Sequence, residues 1–358
     1  MTAEAHAYPE AGSASTIQWR EWRTGPAGAS GELLEAMESL LLDAGARPAA
    51  GPAGLGRALA DRLPPPPGAV GPDGSTGAVL AGYLSTYVQR LLEQDLALRS
   101  GDQERGVHQM RIAARRLRSV LATYRPVLDR GRTDPLREDL RWLGAGLAEA
   151  RDAQVLRRRL TELADAQPTE LVLGPVLQRL ASELDGRFRA GRERALEVLD
   201  TARYLDLLDR LEDLVAAPPI TDTAQEPAGE WLPSLLERDR KRLRRRHKRW
   251  RRATGSVARE VALHEVRKAA KRLRYGAESA EPALGDAAGR LAAAAESIQE
   301  LLGEHQDTVV ARPVLRELGV RAHLDGENGF TFGLLHGLEE ARAADIVRRY
   351  PAAWKRLP

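Results

Sequence analysis

The chain has 358 residues, 43% of them hydrophobic, which is enough for one large core or two compact ones. Its 54 Lys and Arg against 51 Asp and Glu leave a formal net charge of +3, and the absence of cysteine excludes disulfides, thiolate catalysis and zinc–thiolate sites. No run approaches the roughly 20 apolar residues of a membrane span, and an amino terminus with Glu4 and Glu10 lacks the apolar core of a secretory signal, so a soluble, cytoplasmic protein is expected.

Residues 1–15 are small and polar without a repeat period and are expected to be disordered. Ile17-Gln-Trp-Arg-Glu-Trp-Arg23 alternates as a short strand does. Residues 32–44 have helical spacing at Leu33, Leu34, Met37, Leu40 and Leu41, and 55–63 form a second short helical candidate. Pro64 to Pro67 and the Gly/Pro sequence after them make a stiff linker, so the main domain is expected to start near Gly77. From there helical periodicity covers 77–99, 104–126, 134–166 and 170–215 in a first half, then 230–254, 257–280, 284–318 and 328–347 in a second. The segment 217–229, with Pro218, Pro219 and Pro227, connects the halves. Dominant Ala, Leu, Arg and Glu agree with an all-α class, and four helices per half predict two four-helix bundles. The expected division is 1–75, 76–350 (76–216, 217–229 and 230–350) and a tail, 351–358.

One basic signature occurs twice. His108-Gln-Met-Arg111-Ile-Ala-Ala-Arg115-Arg116-Leu117-Arg118 returns 156 residues later as His264-Glu-Val-Arg267-Lys268-Ala-Ala-Lys271-Arg272-Leu273-Arg274. At about 100° per residue, His108, Arg111, Arg115 and Arg118 share one helix quadrant, as do His264, Arg267, Lys271 and Arg274. Met110, Ala113, Leu117 and Leu121, and in the second copy Val266, Ala269, Leu273 and Ala277, occupy the neighbouring arc and are expected to be buried. Downstream, Leu147-Ala-Glu-Ala-Arg151-Asp152 returns as Leu302-Gly-Glu-His305-Gln-Asp307, so a whole helical unit is duplicated. Between Glu237 and Arg274, 17 Lys or Arg face 4 Asp or Glu; such segregation is an electrostatic footprint for a polyanion, although charge runs also occur as solvated helix faces.

These paired helices and the Asp152 and Asp307 segments resemble the CHAD family, the conserved-histidine α-helical domain, over about residues 76–350. The resemblance implies two four-helix bundles related by a pseudo-twofold axis, and a basic central surface or pore that binds inorganic polyphosphate without catalysis. The amino-terminal piece is similar to the end of a CYTH, or triphosphate tunnel metalloenzyme, domain: Trp19-Arg-Glu-Trp, the 32–44 helix and Leu55-Gly-Arg57-Ala-Leu59. No E-x-E-x-K signature is present, and Gly54 stands near where that family has a lysine.

Polyphosphate carries about one negative charge per internal phosphate and has no bases, so its receptor needs cations at repeated intervals. The expected contacts are Arg111, Arg115, Arg118, Arg267, Lys271 and Arg274, flanked by Arg116, Lys268 and Arg272. His108 and His264 would donate to phosphate oxygens or orient arginines, and a phosphate partner would favour their protonated form, strengthening binding on modest acidification. Asp152 and Asp307 would hold stripe arginines in place; His305, whose first-half counterpart is Ala150, is a further candidate. In the basic run 240–252, Arg240, Arg244, Lys248 and Arg251 share a face and would widen the site, while Trp250 reads as core. No catalytic residue, cofactor or metal site is expected, and oligomeric state is open. Two alternatives stand beside this reading: part of a CYTH-type triphosphatase, and a nucleic-acid binder using the 240–252 helix. The near-absence of aromatics from the signature helices speaks against the latter.

Overall fold

The structure is a computed structural model that describes residues 2–7, 15–20, 36, 39–45, 71, 73–100 and 103–358. It divides into two compact units, Met1–Pro66 and Pro67–Pro358.

In the first unit, β1 (Thr2–Ala7) pairs antiparallel with β2 (Ser15–Arg20), in register from Thr2 opposite Arg20 to Ala7 opposite Ser15. The expected strand is present, but its partner lies within the segment expected to be disordered. Ladder bonds run between backbone groups, so pairing needs no side-chain period. Residues 39–43 are helical, within the expected 32–44 segment. The 55–63 helix, the proline linker and most of the CYTH-like match fall outside the described residues.

The second unit contains ten α-helices among the described residues, and the all-α class is as expected. They are α1 (Thr76–Ser100), α2 (Gln103–Thr123), α3 (Arg130–Gly146), α4 (Ala148–Asp165), α5 (Val176–Leu199), α6 (Ala202–Ala216), α7 (Ala228–Arg252), α8 (Ser256–Leu284), α9 (Asp286–Leu324) and α10 (Phe330–Lys355). The second half has the four expected helices, separated where Gly255, Gly285 and Gly326 take positive φ of 85°, 57° and 78°, a conformation that favours glycine. The first half has six. The expected 134–166 helix breaks at Leu147, and the 170–215 helix breaks at Asp200, after which the Thr201 side chain caps α6 by accepting from the Tyr204 N–H at 3.2 Å.

The two halves share two cores, and a third lies within the second half. The largest gathers Leu84, Leu117, Leu140 and Leu207 of the first half with Leu232 of α7 and Tyr275 of α8. A second joins Leu160 and Leu184 to Leu315 and Phe332, and a third packs Leu243, Leu273, Ile298 and Tyr350. At about 1.5–3 kcal/mol for each fully buried large apolar side chain, the two shared clusters bind the halves to one another. The connector is part of the same packing, since Ala224 is fully buried and the Glu226 carbonyl accepts from the Thr76 N–H at 3.0 Å. No helix among the described residues is long and apolar enough to cross a membrane.

Candidate anion-binding site

The two signature helices, α2 and α8, pack directly on each other. All eight residues of the expected apolar arcs are buried, from Met110 and Leu117 on α2 to Val266 and Leu273 on α8. Burying these arcs fixes the rotation of each helix and leaves the basic stripes beside the contact. Leu147 and Leu302 are also buried, as the duplicated unit requires.

The middle arginine of each R-L-R run does not join the stripe. Arg116, expected as a flanking phosphate contact, crosses to α8, where it pairs with Glu278 and lies over the Tyr275 and Tyr87 rings at 4.6 and 5.0 Å. Arg272 crosses reciprocally to α2: it donates to the Ala122 carbonyl at 2.6 Å and pairs at 2.7 Å with buried Asp239, which accepts from the Thr123 hydroxyl at 2.6 Å. These two residues bolt the helices together. Lys268 turns outward to Glu265 at 2.6 Å. Arg274, expected as a contact, is held by Glu278 and Glu296, both at 2.6 Å. Each of these four cations is already paired with a carboxylate.

What remains is a central cluster of Arg111, Arg115 and Arg118 from α2 with Arg267 and Lys271 from α8. Lys271, Arg115 and Arg118 make no ion pair with a described residue, and the Nε groups of Arg115 and Arg267 are buried without a hydrogen-bond partner there. Burial, followed by Arg267, Arg115, Arg111 and Arg118, pushes Lys271 down to about 6. Arg118 is lowered by burial and by Arg115, Arg137 and Arg141. Arg267 is lowered by burial and Arg115, against the opposing pull of Asp307.

Carboxylates anchor the edge of this cluster. Arg111 donates at 2.8 Å to both Asp152 and the Ala148 carbonyl. Asp307 faces Arg267 and Arg159, and burial raises it despite those two cations. Arg159 is itself held by Glu339 through two bonds of 2.6 and 2.7 Å.

The histidines differ from one another. Burial, then Arg151, Arg115, Arg111 and Arg158, holds His108 down at about 4, so it is neutral near pH 7 in the unliganded protein. His264 Nδ1 lies 2.8 Å from Gln306 Oε1. His305, a further candidate from the sequence, is 5% exposed on α9, where Glu260 and Arg312 act on it. The neighbouring Gln306, missed in the sequence, supplies the contact, and its first-half counterpart is Arg151, whose charge acts on His108.

On α7, Arg240 and Arg244 reach Glu237 of their own helix at 3.5 and 3.9 Å, while Lys248 and Arg251 are exposed. The cations of this helix that reach α8 are others: Arg246 pairs with Glu265 at 3.4 Å, and Arg242 feels Arg272 and Arg246. Trp250 is 7% exposed and belongs to the core, as expected. Among the described residues no three His, Asp or Glu side chains come together as metal ligands.

Set against known proteins, the chain matches the CHAD domain family over residues 82–316. It is 35% identical over 349 residues to the uncharacterized proteins MT2285 and Rv2226 of Mycobacterium tuberculosis, strains CDC 1551 / Oshkosh and ATCC 25618 / H37Rv. The match covers 95% of this chain and 65% of the length of each relative. PptA from Streptomyces chartreusis has a similar fold (TM-score 0.66, 19% identity, 79% of this chain and 99% of that one). So does the CHAD domain from the plant Ricinus communis (TM-score 0.61, 24% identity, 82% and 96%).

Proposed function

The chain belongs to the CHAD domain family, and on that footing we propose that it is a non-catalytic receptor for inorganic polyphosphate, acting in the cytoplasm to recruit its chain to polyphosphate or to let polyphosphate regulate it. One observation carries this reading: Lys271 is surrounded by Arg111, Arg115, Arg118 and Arg267 and has no carboxylate partner among the described residues. Half-buried like charges repel strongly in a medium of reduced dielectric, and a folded protein that gathers four guanidinium groups around a lysine, at the cost of that lysine's own charge, is poised for an anion carrying several charges. A linear chain of phosphates supplies charges at short, regular intervals and asks for no base recognition. Arginines offer two parallel donors to each phosphate. Asp152 and Asp307 act as positioning residues, and His108 and His264 as hydrogen-bonding groups at the end of the stripe. Arg116 and Arg272 serve the fold.

The reading is tested by titrating the full chain with long-chain polyphosphate, tripolyphosphate and a DNA duplex at physiological salt, alongside Arg111→Ala/Arg267→Ala with its helicity checked. Tight binding that grows with chain length, falls steeply with salt and is lost in the folded variant is expected. Equal preference for DNA, or no polyphosphate binding, overturns it.

A further inference from the structure

The two halves of the basic surface are not equivalent. Arg118 and Arg274 hold the same place in the repeat, yet Arg274 is held by Glu278 and Glu296, and Arg118 by no described carboxylate. The register that aligns Asp152 with Asp307 sets Arg141 of α3 opposite Glu296 of α9, and Arg137 opposite Ala292. The helix flanking the stripe therefore contributes in the first half Arg137 and Arg141, opposed more weakly by Glu138, and in the second half a carboxylate that pairs with the stripe's last arginine. Arg137 and Arg141 are one turn apart on α3, and both act electrostatically on Arg118. Their partners leave them available. Arg141 meets Glu138 at 2.7 Å in an exposed pair, of a kind that contributes little in water. Arg137 shares Asp134 with Arg125, and its Nε is buried without a hydrogen-bond partner among the described residues.

We propose that the anion track is one-ended: a linear oligophosphate too long for the central cluster leaves it over Arg118, Arg137 and Arg141, while Glu278 and Glu296 close the other end at Arg274. This rests on the polyphosphate reading above and adds a direction and a length dependence to it. A short anion fills the centre and never reaches α3. A long one gains two further cation contacts, and the carboxylates beside Arg274 repel it from the opposite exit.

The experiment measures tripolyphosphate and long-chain inorganic polyphosphate binding to the wild-type chain, Arg137→Gln/Arg141→Gln and Arg115→Gln/Lys271→Gln across a salt series. The α3 variant should keep wild-type affinity for tripolyphosphate, bind the long chain about fivefold or more weakly at physiological salt, and show a log–log salt slope shallower by roughly one to two. Arg141→Glu, which copies the second-half charge, should weaken the long chain further. Unchanged long-chain affinity and salt slope in both α3 variants, with the Arg115/Lys271 variant impaired, overturns the one-ended track and leaves the receptor reading standing. Failure of the wild type to bind either phosphate overturns the receptor reading itself.

Discussion

Replacing Lys271 by arginine should uncouple anion binding from proton uptake. Burial and the facing guanidinium groups of Arg267, Arg115, Arg111 and Arg118 hold the Lys271 ammonium at about 6, so at pH 7 roughly a tenth of the unliganded protein carries that charge. A phosphate set against it cancels the repulsion and returns the group towards its ordinary value near 10.4. Binding between about pH 7 and 8 therefore takes up close to one proton. The sign follows from which form binds. Below about pH 6 Lys271 is already charged and affinity is flat. Above it, affinity falls by up to about tenfold per pH unit, or about 1.4 kcal/mol, until the pKa of the bound state is reached. The unliganded fold behaves oppositely, gaining stability as pH rises above about 6, because the unfolded lysine still holds a proton that the native one has lost. Calorimetric titration at pH 7.5 with long-chain polyphosphate, in buffers of different ionisation enthalpy, counts the proton directly. The wild type should take up about one, and Lys271→Arg, charged throughout, close to none, with a flatter pH profile. His108, held at about 4, would have to rise by more than three units to contribute at that pH. Equal proton uptake by the wild type and Lys271→Arg would refute the reasoning.

Two further perturbations test the framework that presents the cluster. Asp239→Ala removes a carboxylate that is 3% exposed and joins Arg272 to Thr123, leaving a half-buried guanidinium without its partner; a loss of about 3–5 kcal/mol in urea unfolding is expected, and a loss under 1 kcal/mol would show that Arg272 finds another partner. At Gly191 of α5 an added Cβ would collide with the α4 backbone, lying 2.9 Å from Ala150 Cα and closer still to its N, so Gly191→Ala should cost about 1–3 kcal/mol in the same assay. The collision falls beside Asp152, so that variant should also weaken the Arg111 pairing, which a double-mutant cycle with Asp152→Asn would register as non-additivity.

The chain's own residues disclosed a good deal. Eight apolar positions on α2 and α8 were assigned to the core and all are buried, because a 3.6-residue period fixes which face of a helix can leave water. The second-half helices were legible to within a few residues at most ends; α8, α9 and α10 continue further at their C-terminal ends. The break after α5, which the expected 170–215 helix ran through, had an unread signal in Asp200-Thr201 ahead of an apolar run, an N-cap pattern. The break at Leu147 was not read; it falls where α3 packs closely on α5, a Cβ on Gly146 standing 2.7 Å from a Val198 methyl.

Charge was the harder matter. The spacing of the signature determined that both helices would carry a cationic stripe beside an apolar anchor, and that the unit would be present twice. It could not determine which cations are spent on the fold. Arg116 and Arg118 stand two residues apart with identical side chains, yet one crosses to Glu278 and the other faces Arg137 and Arg141. His305 and Gln306 are adjacent, and only the latter meets its signature histidine. Helical periodicity is a local property set by backbone geometry, and some charge partners are local too, as Lys268 with Glu265 and Arg274 with Glu278 lie within about one turn. The partners of Arg116 and Arg272 are chosen across elements distant in sequence, so tertiary packing decided that those two cations serve the fold.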